Sequence, residues 1–530
     1  MLEPANMDIE YREMCLPGTR TDILEGLFDS LTDPSPSHNI VWLRGPAGSG
    51  KSTILNTIAH YFSELRRCGA FLFWDRRNHV DGDPRYVIRT LAYQLACLNP
   101  IFAEKIASQI NAWPNITCSS FATQFRHLLL EPLSAFTGSD NSGPIVIILD
   151  ALDECGTQKS RKEFLLEFTA GLAKLPSMFR VLVASRDEPD INFTLSRLHT
   201  DIRDIRIDDA AVMSDISQLF RRRLVRDGPA FMDYELASDW PGDRAIQQLA
   251  HLSGGLFIWA STTIRFIEDG IPDTRLKSVL QASAHGEPHE QLDQLYWVAL
   301  THPFNCSSPT ELHAVRSILG AIVVAYDQLT DEQLSDLLEM ELGTVRGILR
   351  RLQPLLHWVR GMPVRVLHTS FTDFVCERCQ YAQWHINKSI IHNLLTSSCF
   401  RVMAQGLKFN VIGSKSSYYR HKDIERTQER VDMAITPTLL YASQHWVDHL
   451  ESGTVSDPHT LADMLTCFMH SQLLHWVEVL SFKNRVSIMC AILKKAASWA
   501  KVTRFYHGIG KFSLISIGID PPSWARGRHF

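Results

Sequence analysis

Two apolar patterns succeed one another along this chain. Up to about residue 208, short unbroken apolar runs alternate with stretches in which apolar positions recur every three or four residues. "NIVWLRG" (39–45), "GPIVIILDALDEC" (143–155) and "FRVLVASRDEPDI" (179–191) are the unbroken runs. Apolar on both faces and bounded by glycine or acidic residues, they predict strands buried inside a parallel sheet. "KSTILNTIAHYFSEL" (51–65) has the helical period and predicts an amphipathic helix directly behind the first strand. From Asp209 to about His285 only the helical period remains, including "SDISQLFRRRLVRDG" (214–228), which opens on Ser214 as a cap. Residues 329–371 predict two helices joined by a short turn, the first started by a capping box of Thr330 and Gln333. A hairpin with Gly361 at its bend follows, which makes a winged-helix unit. Residues 380–500 read as helical throughout, with apolar stripes in "YASQHWVDHL" and "VSIMCAILKKAASWAK" that predict a paired-helix core.

The pattern therefore divides the chain into an N-terminal segment (1–38), an α/β domain (39–208), a helical domain (209–285), a winged-helix domain (286–376), a second helical domain (377–500) and a tail (501–530).

The chemistry sits where the first strand turns into its helix. "GPAGSGKST" fits G-x-x-x-x-G-K-[ST], with Gly45, Gly50, Lys51 and Ser52 at the defining positions. Glycines let the backbone of Gly45, Pro46, Ala47, Gly48, Ser49 and Gly50 bend so that successive N–H groups face phosphate oxygens. A helix beginning near Lys51, through Ser52 and Thr53, adds the positive end of its dipole. Lys51 reaches the β and γ phosphates, and the Ser52 hydroxyl ligates Mg²⁺. A glycine-rich surface turn is the competing explanation, and the strand before and helix after the loop argue against it.

A second strand supplies the acid such a site needs. Asp150, at the carboxyl end of its run, is placed to hold the Mg²⁺ hydration shell beside Ser52. Asp153 or Glu154 is placed to orient or deprotonate an attacking water; residue type and spacing do not rank the two. The third run ends in Arg186, whose guanidinium either senses the γ-phosphate or pairs with Asp187 or Glu188 on the surface. The order P-loop, acidic strand, arginine strand describes an additional-strand P-loop NTPase fold, with the nucleotide at the carboxyl ends of the strands.

Composition narrows the field around that site. The 530 residues carry a formal charge of −5, which argues against a dedicated nucleic-acid binder. Arg346, Arg350 and Arg351 of the winged-helix segment, and the run Arg221, Arg222, Arg223, therefore read first as solvated helix faces. No uncharged apolar run reaches about 18 residues and the start lacks a secretory pattern, so neither a membrane span nor export is expected. The 11 cysteines, mostly scattered singly, suit reduced thiols and a cytoplasmic location. Cys376 and Cys379, with His385 and His392 downstream, invite a zinc reading, but the spacing fits helix packing better.

Several of these stretches carry a resemblance. "CLPGTR" (15–20), the P-loop, "DPRYVIRTLAYQLA" (83–96), the acidic box "LDALDE" with small Ala151 after its first Asp, "SGGLFIWASTTIRFI" (253–267) and "LHTSFTDFV" (367–375) together resemble the NACHT-domain proteins of the STAND class of P-loop NTPases, most closely those of fungi. The likeness includes their nephrocystin-3-like N-terminal region and runs from about residue 13 to about residue 500. It implies ATP or ADP with Mg²⁺ as the ligand, adenine contacts from the segment holding Thr19 and Arg20, and a winged-helix His368 on the β-phosphate of bound ADP. It also implies self-association in the ATP state and a role in signal transduction of the innate-immunity kind. The chain departs from these proteins where "GGLFIWA" replaces a proline that touches adenine in many of them. Almost nothing precedes "CLPGTR", no repeat of about 40 residues is visible, and the tail matches nothing familiar.

Three readings follow. The protein is a slow nucleotide-operated switch, closed with ADP and opened by exchange for ATP; or a turnover ATPase that drives remodelling; or a truncated decoy that binds protein partners through its helical half. The resemblance favours the switch.

Overall fold

The computed structural model describes residues 13–502 apart from 34–38, 75–83, 135–142, 156–157, 173, 177, 196–201, 208–211, 226–227, 283–287, 305–306, 380–382, 415–425 and 455–457. The tail from 503 onward, and the first twelve residues, lie outside the described residues. The chain divides into two compact units, Met1–Ala299 and Leu300–Phe530.

The first unit is built on five strands: β1 Ile40–Arg44, β2 Cys68–Phe73, β3 Ile145–Asp150, β4 Phe179–Ser185 and β5 Ile202–Arg206. They lie in the order β2-β3-β4-β1-β5, and every pair is parallel. β4, the arginine strand, thus stands between the P-loop strand β1 and the acidic strand β3, which is the additional-strand arrangement the sequence order implied. Side chains alternate across the sheet as the pleat requires. Ile40 and Trp42 join Leu149, Val181 and the helix Pro84–Leu98 on one face, while Val41 and Leu43 join Ile54, Ile58, Phe62 and Leu182 on the other. With both faces covered, β1, β3 and β4 are buried throughout, and their polar residues are confined to Arg44, Asp150, Arg180 and Ser185 at or next to the strand ends.

Register places the chemistry. Arg44 pairs with Ser185 and Leu149 with Val183, so Gly45, Asp150 and Arg186 leave their strands along one carboxyl edge. The helix Lys51–Glu64 starts straight from the loop and packs Ile54, Leu55, Ile58, Ala59 and Phe62 inward. Three helices from the predicted helical stretch, Val212–Arg223, Asp243–Leu252 and Phe257–Glu268, complete the part of this unit that matters below. Ser214 lies within the first turn of a helix that already begins at Val212, so it is not the cap expected of it. The arginines behind it pair across a solvated surface, Arg221 with Asp243 at 3.1 Å and Arg223 with Glu268 at 3.2 Å.

In the second unit the helix Asp331–Leu338 begins with the expected capping box, Thr330 accepting from the Gln333 backbone while the Gln333 side chain accepts from Thr330. The helix Leu342–Arg351 follows, then β6 Leu356–His357 and β7 Arg365–Val366, antiparallel, with Gly361 at φ 76° in the bend between them. Two arginines weighed for nucleic acid are held by acids: Arg346 by Asp331 at 2.7 Å and Arg351 by Glu311 at 2.6 Å, with Arg351 also stacked on Phe304. Further on, the helix Lys388–Gly406 packs on Pro437–Ser452 around buried Trp446 and Trp476. His392, one of the histidines beyond the Cys376–Cys379 pair, turns its Nδ1 to that of His449 at 2.9 Å.

Candidate functional site

The loop between β1 and the helix Lys51–Glu64 has the backbone its glycines permit. Gly48 and Gly50 hold φ of 79° and 89°, in the left-handed region that a Cβ disfavours. Gly50 is also the residue that opens the helix, so Lys51, Ser52 and Thr53 form its first turn. The Lys51 ammonium donates to the carbonyls of Gly45 and Pro46 at 2.7 and 2.8 Å, folding back over the loop it belongs to. Burial pulls the pKa of Lys51 down to about 8, against the opposing pull of Asp153 and Asp150 nearby.

That value makes a prediction. A phosphate on Lys51 favours the ammonium and raises its pKa, so binding above pH 8 must take up a proton. ADP affinity is therefore expected to be fully present below pH 8 and to fall up to about tenfold per unit as pH rises above it. Calorimetric titration at pH 7 and pH 9 checks this; equal affinities remove Lys51 from the phosphate.

Asp150 ends β3 and is buried, and the acidic turn follows at once. Ala151 takes φ 57°, which a small residue tolerates better than a bulky or branched one, and it turns the chain so that Asp153 and Glu154 come back toward β4. There they meet Arg186. Asp153 Oδ1 accepts the Arg186 backbone N–H at 3.0 Å, and Asp153 Oδ2 faces Arg186 Nε at 3.1 Å. Glu154 Oε1 lies 3.9 Å from the same guanidinium. Of the two readings of Arg186, a γ-phosphate role or a surface pair with Asp187 or Glu188, the structure does not show the second. Arg186 turns instead to the acids of the turn that follows the neighbouring strand.

The segment before the sheet reaches the loop from the other side. The Thr19 hydroxyl donates to the Leu16 carbonyl at 2.7 Å and so fixes the turn that presents Arg20. Buried Arg20 donates through Nη2 to the Ser49 carbonyl at 2.7 Å, stacks over Phe257 at 4.7 Å, and donates its backbone N–H to the Asp215 carboxylate at 3.1 Å. Phe257 is the residue that "GGLFIWA" brings to this place. Its ring approaches Gly50 so closely that a Cβ there would lie 3.9 Å from it, and the next backbone N–H, Ile258, donates to the Gly48 carbonyl at 3.2 Å.

His368 belongs to the second unit. It caps the short helix Thr369–Asp373, its Nδ1 accepting the Ser370 N–H at 3.1 Å. That bond assigns the proton of a neutral imidazole to Nε2.

Two arginines matter here that sequence reasoning passed over. Arg44, at the end of β1, is held by Asp187 and Asp204 and stacks on Trp42, so it braces the strand just before Gly45. Arg161, in the helix Gln158–Leu172, joins Asp190 and the backbone of Asp153. Neither belongs to a motif.

Comparison with known proteins meets the site at this point. Residues 18–186 match the family described as nephrocystin 3, N-terminal. The match begins just before Thr19 and ends on Arg186, and it bears out the resemblance to NACHT and STAND proteins over the whole phosphate edge. Among solved structures, a STAND protein with a tetratricopeptide repeat sensor from Pyrococcus horikoshii is similar at 12% identity over 96% of this chain and 67% of that one, with a TM-score of 0.42. Cdc6p from Pyrobaculum aerophilum is similar at 12% identity over 74% of this chain and 97% of that one, with a TM-score of 0.32. No curated protein matches the chain.

Proposed function

We propose that the protein is an ATP/ADP-operated signalling switch that hydrolyses ATP slowly and changes conformation with the nucleotide it holds. The observation that carries this reading is the attachment of the loop to its surroundings. The Gly48 and Ser49 carbonyls accept from Ile258 N–H and Arg20, so a phosphate that draws the loop's N–H groups inward also pulls on the helix Phe257–Glu268 and on the N-terminal segment. A switch needs such a physical link between ligand and helical region. The pairing of Arg186 with Asp153 and Glu154 accounts for the slowness, because the groups that would stabilise and activate the reacting atoms already engage one another.

Mg²⁺ suits the donors at this edge: a hydroxyl from Ser52 and a carboxylate from Asp150 are hard oxygen ligands, and Mg²⁺ keeps several waters when it binds them. The metal would neutralise charge between the β and γ phosphates. Lys51 would hold those phosphates, Arg186 would move to the γ-phosphate of bound ATP, and Glu154 or Asp153 would then orient the water that attacks it as ADP leaves.

Purified protein is expected to retain ADP near one per chain and to turn over below about one ATP per minute. A rate near the enzyme median of about 10 per second would make it a remodelling motor instead. A chain that retains no nucleotide and hydrolyses none would be the decoy.

The same reading gives His368 a part. Residues 329–371 are proposed as a winged helix, and His368 as the residue that donates its Nε2 proton to the β-phosphate of ADP in the closed state. A charge-assisted bond made in one state only contributes about 1.5–3 kcal/mol and shifts the closed-to-open ratio roughly 10- to 150-fold. His368→Leu is therefore expected to speed ADP release by that factor and to raise the oligomeric fraction with ATP. An ADP off-rate unchanged in folded His368→Leu protein sinks the assignment, leaving His368 as the cap of its own helix.

A further inference from the structure

Arg161 lies in the helix Gln158–Leu172, away from every phosphate-binding motif, yet it is buried. Its guanidinium grips Asp190 with two bonds, Nε to Oδ2 at 2.8 Å and Nη2 to Oδ1 at 3.1 Å. Its remaining arm, Nη1, donates to the backbone carbonyl of Asp153. Asp190 stands four residues after Arg186, at the start of the helix Pro189–Leu195. The contacts close a ring. Arg186 leaves β4 and meets the Asp153 carboxylate; the chain runs on to Asp190; Asp190 holds Arg161; and Arg161 returns to Asp153 through its carbonyl.

We propose that Arg161 is a positioning residue: it locks the acidic turn against the arginine tip and so sets the geometry in which Arg186 and the Asp153–Glu154 pair act. The proposal rests on the hydrolytic role given to those residues above. The planar fork explains why arginine is needed. It satisfies a carboxylate with two parallel bonds and keeps a third donor for a carbonyl, which a lysine cannot reproduce. The choice of carbonyl is what ties it to chemistry. Arg180, another buried arginine of this sheet, spends its donors on the carbonyls of Phe179 and Asp33 at the opposite end of β4, far along the strand from the phosphate edge. Arg161 instead bonds the residue whose carboxylate holds Arg186. Burial acts against the ionised form of Asp190, but its bonds to Arg161 outweigh this and hold its pKa below the usual range, so the pair stays ionised at neutral pH.

Positional error of about 1 Å in a reacting group can lower a rate by about 100-fold, and loss of an outer-shell partner commonly lowers activity about 10- to 100-fold. Removing a buried charge outright threatens folding, so the decisive variant is Arg161→Lys, which keeps the charge opposite Asp190 and gives up the fork. In the full chain, Arg161→Lys is expected to bind ADP within about twofold of the wild type and to hydrolyse ATP in a single turnover about 10- to 100-fold more slowly. Asp190→Asn should show the same split. A merely structural role would weaken binding and hydrolysis together. Wild-type hydrolysis in Arg161→Lys, or a parallel loss of both, overturns the proposal. Should the wild type itself hydrolyse nothing, the functional reading fails separately, and the positioning claim is then decided by hydrogen exchange of the Arg186 amide that Asp153 accepts. About tenfold faster exchange in Arg161→Lys, with β3 amides unchanged, supports the ring, and equal exchange rejects it.

Discussion

Lys51→Ala is expected to strip the purified protein of nucleotide and to remove the stabilisation that nucleotide confers. The lysine is the single strong cation inside the loop, with Arg186 turned to the acids. Without it the backbone N–H groups alone face a polyphosphate. A ligand that binds only the folded state stabilises it by RT ln(1 + [L]/Kd), about 2.7 kcal/mol when the ligand is 100-fold above Kd. For a unit that spans Met1–Ala299 that amounts to roughly 4 °C in melting temperature. The ligand-free comparison separates this effect from ordinary damage. Burial pulls the Lys51 pKa down to about 8, so its ammonium is poorly accommodated before phosphate arrives, and its loss should leave ligand-free stability unchanged or raised. The expected signature is thus a melting difference that appears with ADP and disappears without it. Wild-type nucleotide occupancy in Lys51→Ala would falsify the assignment of the loop.

Why was so much of this edge readable beforehand? Each piece is local and its physics is short-range. Gly48 and Gly50 adopt φ values open to glycine, β1, β3 and β4 are apolar because helices cover both sheet faces, and Thr330 with Gln333 close a capping box within four residues. The position of β4 between β1 and β3 followed from the order of the motifs. What escaped depends on chain segments that meet only in the folded state. Arg161 sits eight residues beyond Asp153 in a helix whose polar face looks like any solvated one, and nothing in "QKSRKEF" marks its arginine as buried. Asp215 and Phe257 reach Arg20 from nearly two hundred or more residues away. The partners of Arg186 escaped for the same reason: local sequence offers Asp187 and Glu188 as the competing pair, whereas the sheet register offers Asp153. Ser214 shows the reverse error, a residue with the right local chemistry for a cap placed inside a helix that starts earlier.

The register also separates two acids that the sequence left equal. Asp153 is 2% exposed, with its carboxylate committed to the backbone and side chain of Arg186 and its carbonyl to Arg161. A group held from three sides orients its neighbours and has little room for a water. Glu154 is 9% exposed, and its contact with Arg186 is longer, 3.9 Å against 3.1 Å. On the proposed shift of Arg186 to a γ-phosphate, Glu154 would be the acid that loses least by releasing it. Glu154→Gln is therefore expected to keep ATP bound and to slow its hydrolysis about 10²- to 10⁴-fold, the range for loss of a general base. Its fold should be undisturbed, because the amide retains the shape and an acceptor for Arg186. Asp153→Asn should behave differently. It weakens the anchor of Arg186 inside a buried site, so hydrolysis and thermal stability are expected to fall together, by about 1–3 kcal/mol in the latter. Asp150→Asn should instead lower Mg²⁺-dependent binding. The measurement that decides is single-turnover hydrolysis beside melting temperature for the two turn variants. A wild-type rate in Glu154→Gln with a slowed Asp153→Asn reverses the ranking, and wild-type rates in both remove the acidic turn from the chemistry.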